Sequence, residues 1–286
     1  MVHCAIDMKE IHYQYPDGHI ALDKINFQVG LHERAVILGA NGAGKSTLLS
    51  IMCGIIQADQ GSIKILDKEL TSKNVHELRP LIGLVFQEPD NQLFMPTLWE
   101  DVAFGPLNMG LSEDEVHARV NEALQVVGLT DLQEKPPHHL SVGEKKRAAI
   151  ATVLSMRPKI LVFDEPTAHM DPRSREEFVK FLSKLHSEGD LTIITATHDV
   201  NIVPYLAERA YVLSEGKFIG AGSISDIFSN ISILDQANLE PPILVQLFQE
   251  TRMYVKKMDG KPLPLTLSEA TSFFQKNYTL QRKISS

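Results

Sequence analysis

Eight consecutive residues, Gly39-Ala40-Asn41-Gly42-Ala43-Gly44-Lys45-Ser46, fit the pattern G-x-x-x-x-G-K-[ST] in full, and Thr47 follows. The chemistry open to them is the cradling of phosphate. Glycines at this spacing let the backbone curl until successive N–H groups point inward at phosphate oxygens. Lys45 then reaches the β- and γ-phosphates, and the Ser46 hydroxyl is placed to ligate Mg²⁺. A glycine turn with a chance lysine would do none of this. The pattern alone speaks for nucleotide binding and leaves the type of reaction open.

Such a loop needs a strand before it and a helix after it. Arg34-Ala35-Val36-Ile37-Leu38 is an apolar run that stops at the glycines. A helical segment starts at Lys45 and turns the positive end of its dipole toward the same anion. Further short runs cover Leu81 to Phe86, Ile160 to Phe163, Leu191 to Thr195 and Ala210 to Leu213. Each is apolar almost throughout, as strands covered on both faces are. Helical patterns lie between several of them, so an α/β core with a mostly parallel sheet is expected. The stretch Cys4 to Tyr15 reads as a strand ended by the turn Pro16-Asp17-Gly18.

Residues 88–157 read as a helical insertion. Within it, Ser112 followed by Glu115 predicts an N-cap with a capping box for a helix running to Val127. Residues 233–286, with Pro241-Pro242 and Pro262 to Pro264, read as a small C-terminal extension after a main unit of residues 1–232.

Composition narrows the function classes. Hydrophobic residues make up 43% and charged residues 22% of the 286, enough for a packed core. A net charge of -8 argues against nucleic acid as the main partner. The two cysteines, Cys4 and Cys53, lack metal-ligand spacing and read as reduced thiols. No signal peptide is expected, and no apolar run approaches the roughly 18–20 residues that span a bilayer. Work on a membrane would need another chain for the membrane part.

Further elements follow in order. Leu140-Ser141-Val142-Gly143-Glu144 has the form of a signature sequence, and Ile160 to Phe163 ends in Asp164-Glu165. Ala168 to Asp171 comes next, His198 follows the strand Leu191 to Thr195, and Gln87 ends the strand Leu81 to Phe86. With the phosphate loop, this constellation resembles the ATP-binding-cassette (ABC) family over residues 1 to about 232. The resemblance implies a P-loop NTPase (RecA-like) core, an antiparallel β portion and a helical subdomain bearing the signature.

The same resemblance implies roles. Glu165 would be the general base, His198 would contact the γ-phosphate, and Gln87 would approach metal and water from the insertion. Asp164, Ser46 and Gln87 would hold Mg²⁺. Gly39, Asn41, Gly42, Ala43, Gly44, Lys45, Ser46 and Thr47 would bind the phosphates of ATP. Tyr15 would stack on adenine. Tyr13 shares its face, and packing against the sheet is the lesser alternative for Tyr15. Ser141, Gly143, Glu144 and Asp171 would serve the nucleotide bound to a partner subunit, either a second copy or a related ABC ATPase. For the signature residues, capping a helix is the plainer alternative. Val142, His169 and Met170 depart from the family pattern.

The run Val85 to Phe94, with Pro96-Thr97 and Glu100 to Asn108, resembles the ATPases of cobalt, nickel and energy-coupling-factor importers. That implies integral membrane transport subunits as partners and a peripheral position on the cytoplasmic side of the cell membrane. It also implies a groove for a coupling helix, with Leu93, Phe94 and Met95 as its apolar wall or else buried within the insertion. The C-terminal piece is similar to that subgroup's extension and could add dimer contacts. A soluble ABC ATPase acting on nucleic acid or ribosomes is the alternative. The acidic balance and the lack of a second cassette or long coiled-coil arms weigh against it. Glu165 and His198 weigh against a protein that has lost turnover.

Overall fold

The structure, a computed structural model, describes residues 4–251 and 263–277. Its strands are β1 (Cys4–Gln14), β2 (Ile20–Gly30), β3 (Arg34–Leu38), β4 (Gln60–Ile65), β5 (Lys68–Glu69), β6 (Ile82–Val85), β7 (Ile160–Asp164), β8 (Thr192–Thr197), β9 (Arg209–Ser214) and β10 (Lys217–Ser223). The helices are α1 (Lys45–Met52), α2 (Val75–Leu78), α3 (Leu98–Asn108), α4 (Glu113–Val127), α5 (Val142–Leu154) and α6 (Pro172–Gly189). They continue with α7 (Val203–Leu206), α8 (Ile224–Ser229), α9 (Ile231–Gln236), α10 (Ile243–Thr251) and α11 (Leu267–Asn277). Pro262 lies outside the described residues.

One sheet runs β10-β9-β3-β8-β7-β6 and is parallel except for β10. The other, β2-β1-β4-β5, is antiparallel. The expected P-loop NTPase core and antiparallel portion are both present. Alternation along the parallel strands explains their apolar character. Leu161 and Phe163 face the cluster that holds the insertion's helices and α6, whereas Ile160 and Val162 face α1 and the antiparallel sheet. On β3, Val36 and Leu38 join a third cluster with Ile224, Phe228, Leu234 and Val245. The C-terminal region therefore packs directly on the sheet face that carries β3.

Several strand ends differ from the sequence reading by a residue or two, and two of them have a clear physical reason. The strand expected over Leu81 to Phe86 is shorter, because Arg79–Leu81 form a tight helical turn. The strand expected to end at Thr195 continues to Thr197, where Ala196 and Thr197 are fully buried. At α4 the predicted capping box is half formed. The Ser112 hydroxyl accepts from the Glu115 N–H at 3.4 Å, but the Glu115 carboxylate turns away to Arg119 at 2.8 Å.

Helix α5 anchors the insertion to the parallel sheet through β6. A Cβ added to Gly83 would stand 1.9 Å from Val153 Cγ1, so the close approach of α5 and β6 depends on a bare backbone there. Gly83→Ala should therefore lower stability by about 1–3 kcal/mol through overpacking. Denaturant unfolding measures this, and an unchanged midpoint would show that the helix can move aside.

Candidate nucleotide site

The phosphate loop leaves the C-terminal end of β3, where open α/β sheets bind ligands. Gly44 ends the curl and caps α1 with φ +104°, and a Cβ there would lie 2.6 Å from the Ala21 carbonyl. Only glycine fits both demands. Lys45 is buried, and its Nζ donates to the Gly39 and Ala40 carbonyls at 2.8 and 3.1 Å. The loop's own backbone thus aims the ammonium across the cradle.

Glu165 lies one residue past β7 with φ +45°. A non-glycine residue in that region costs of order 1–3 kcal/mol and persists only where its surroundings impose it. Here the surroundings hold the carboxylate on three sides. Thr197 Oγ1 donates to Oε2 at 3.0 Å, His198 Nδ1 lies 2.8 Å from Oε1, and Lys45 Nζ lies 3.3 Å from Oε1. Glu165 is itself buried, so the pairing with Lys45 is poorly screened.

Asp164, the last residue of β7, is also buried. Burial pushes its carboxyl above the usual range, and the neighbouring Glu165 adds to that, while the Ser46 hydroxyl and Lys45 oppose it. Its Oδ1 is buried without a hydrogen-bond partner. An orphaned carboxylate oxygen sharing a cavity wall with the Ser46 hydroxyl suits a hard cation that prefers oxygen ligands. Ser46 and Asp164 therefore fit Mg²⁺, with Gln87 nearby on the same cavity wall.

That cavity, of about 270 Å³, brings together Tyr15, Asn41, Gly42, Gly44, Lys45, Ser46, Thr47, Gln87, Asp164 and Glu165. His198 adjoins it through Glu165. Tyr15 is fixed by its hydroxyl, 2.9 Å from Thr47 Oγ1. Sequence reasoning missed His19 and Ala21, which also line the cavity. The signal for His19 was the Pro16-Asp17-Gly18 turn, which folds the chain back so that Tyr15 N–H donates to the His19 carbonyl at 2.8 Å. The two rings lie 6.4 Å apart and 14° from parallel.

Ser141, Gly143, Glu144 and Asp171 do not line this cavity. Ser141 and Glu144 form a complete capping box at the start of α5, with the Ser141 N–H and hydroxyl both donating to Glu144 Oε2 at 2.7 Å. The capping alternative is thus realised. Helix geometry leaves the Val142 and Gly143 N–H groups without intrahelical acceptors, and the Val142 side chain is 52% exposed. Capping and presenting N–H groups to an external anion are compatible. Asp171 caps α6, accepting from Arg173 and Ser174 N–H at 3.0 Å each. His169, at φ +62°, lies 3.2 Å from Glu88 beside Gln87, and Met170 is buried.

A larger groove, about 840 Å³, opens on the insertion and is lined in part by Leu84, Phe86, Phe94, Phe104, Met109 and Met156. Of Leu93, Phe94 and Met95, for which the sequence leaves open both a groove wall and burial in the insertion, Phe94 lines this groove and Leu93 is buried.

The sequence profile of the ABC transporter family matches residues 22–168. The energy-coupling factor transporter ATP-binding protein EcfA of Carboxydothermus hydrogenoformans is 44% identical over 273 residues, 95% of this chain and 98% of that protein. This chain belongs to the ABC transporter ATPase family. The cbiO1 structure from Clostridium perfringens, part of an ABC transporter complex, superposes on this ABC ATPase with a TM-score of 0.74. The two are 42% identical, covering 86% of this chain and 99% of that one. An ABC cassette solved as a post-hydrolysis dimer with ADP and Pi is 28% identical, with a TM-score of 0.68, and covers 77% of this chain and 98% of its own. Like them, this ABC ATPase is a nucleotide-binding enzyme. No helix among its described residues is long and apolar enough to cross a membrane.

The hydrogen bonds from Ser141, its side chain first, hold the Glu144 carboxyl below the usual range. A carboxylate depressed in the folded state stabilises above its unfolded value and stops doing so as pH falls through its folded value. Glu144→Ala should cost about 0.3–1.5 kcal/mol at neutral pH. The gap from the unmutated chain should close under acid conditions below the ordinary glutamate range. Unfolding curves at the two pH values decide this, and a gap that persists in acid would contradict it.

Proposed function

We propose that this ABC ATPase is the energy-coupling subunit of a membrane importer, sited on the cytoplasmic side of the membrane. Two cassettes, this chain with a second copy or a related chain, close around ATP. Their turnover drives integral membrane subunits that carry a transition-metal ion such as cobalt or nickel, or a vitamin. The observation that carries the hydrolytic part is the convergence of Lys45, Ser46, Gln87, Asp164 and Glu165 on one cavity.

Tyr15, held by Thr47, stacks on adenine, and the loop from Gly39 to Thr47 wraps the phosphates. Lys45 neutralises charge on the β- and γ-phosphates. Ser46, Asp164 and Gln87 hold Mg²⁺, which when bound neutralises further charge on the phosphate oxygens. Glu165 takes a proton from the attacking water onto a carboxylate oxygen. His198, its Nδ1 on that carboxylate, keeps the base oriented and turns Nε2 toward the γ-phosphate. The first turn of α5, with Ser141 and Gly143, meets the triphosphate of the other subunit, where its free N–H groups favour an anion. Asp171 keeps the neighbouring loop in place.

Support for the membrane role comes from the groove on the insertion. Phe94 is 62% exposed beside it. Asp101, which also lines the groove, accepts from the Phe94 and Met95 N–H groups at 3.0 and 3.1 Å, yet its Oδ2 is buried without a partner. A coupling helix that brings apolar surface would cover Phe94, while Asp101 fixes the backbone that presents it. The names of the relatives, EcfA and cbiO1, point to the same class of transporter.

The test uses the chain purified from its native membrane. Glu165→Gln should still bind ATP, co-elute with integral membrane subunits and accumulate ATP-bound dimers. Its phosphate release should be slower by about 10²–10⁴-fold. Near-normal release would reject Glu165 as the base, and elution without any membrane protein would reject the importer.

A further inference from the structure

Lys146 stands about one and a half turns beyond Ser141 on α5. It is 4% exposed, on a helix whose neighbouring cations, Lys145 and Arg147, are partly exposed. A buried ammonium must be paired, because leaving it alone away from water costs several kcal/mol. Its Nζ donates to the Gln87 carbonyl at 3.4 Å, and the Glu88 and Glu165 carboxylates attract the same charge. Two neighbouring contacts tie the same loop to the same helix. Lys145 pairs with Asp90 at 2.7 Å, and Gln92 donates to the Ala149 carbonyl and to Thr152 Oγ1 at 2.8 Å each. Of these ties, Lys146 alone sits between the signature helix and residues placed at the nucleotide.

We infer that Lys146 is a positioning residue for hydrolysis: its buried ammonium fixes the Gln87 backbone to α5, and so sets where the Gln87 side chain stands relative to Glu165. The same helix presents Ser141 and Gly143 to the other subunit. Its position when closed on the partner's nucleotide therefore dictates the placement of Gln87 in its own subunit. This rests on the proposed roles of Gln87 and Glu165.

Lys146→Met keeps the length of the stem and removes the charge; Lys146→Arg returns a cation. In the full chain, steady-state phosphate release, ATP affinity by calorimetry and the thermal midpoint are measured for each. Lys146→Met should lower kcat by roughly 10- to 100-fold, as a misplaced group does, while KM and Kd for ATP stay within about twofold. Lys146→Arg should recover most of kcat. Should the methionine variant fail to fold, Lys146→Gln makes the same comparison. An unchanged kcat overturns the inference. So does a joint loss of kcat, ATP affinity and thermal midpoint without rescue by arginine, since that marks a purely structural lysine. Glu165→Gln run in parallel separates the two layers: normal turnover there rejects the underlying site, whatever Lys146 does.

Discussion

Parallel pairing sets Leu38 of β3 opposite Thr197 of β8, and Asp164 of β7 opposite Ala196. Everything at the nucleotide site follows from that register. It delivers the phosphate loop, the two carboxylates and the Thr197-His198 pair to one end of one sheet, within hydrogen-bonding reach. A slip of one residue would turn Asp164 into the core and carry Glu165 away from Lys45. The sheet can hold this register because both faces are covered, by α1 and the antiparallel sheet on one side and by the insertion and α6 on the other. The strain at Glu165 is sustained by that same rigidity.

The insertion does two jobs with one helix. At its N-terminus α5 exposes first-turn N–H groups and the Val142 side chain to whatever lies outside the subunit. Along its length it packs on β6 at Gly83 and grips residues 87–92 through Lys145, Lys146 and the residues that receive Gln92. The groove beside Phe94 borders the same loop. Contacts made at the groove, at the loop and at the far end of α5 are therefore joined through continuous, well-paired structure. The contact between His169 Nε2 and the Glu88 carboxylate adds a link to the loop after β7.

Much of this could be read from the chain because local chemistry and local structure agree. The phosphate loop needs its glycines wherever it occurs, and an apolar run ending in Asp164-Glu165 is a buried strand with carboxylates at its tip. What escaped reading was set by distant contacts. The extension of β8 through Ala196 and Thr197 shows only once both faces of the sheet are known to be covered. Glu115 satisfies the capping-box spacing but meets Arg119 first. His19 enters the cavity only because the hairpin turn stacks it on Tyr15. Leu93 and Phe94 are neighbours with opposite fates, one in the insertion's core and one on the groove, and no pattern of two residues distinguishes them. Ser141, Gly143, Glu144 and Asp171 lie outside the cavity of the single chain, and the roles proposed for them belong to a paired site.

A mixing experiment puts the shared nucleotide pocket to the most direct trial. One variant of this chain carries Lys45→Ala, which disables its phosphate loop; the other carries Ser141→Arg, which obstructs its signature helix. Each should be inactive alone. Mixed pairs contain one pocket with an intact loop from one chain and an intact signature from the other, so phosphate release should reappear on mixing. If the two dead variants stay dead together while still forming pairs, each chain must be using its own signature, and the account of the site is wrong.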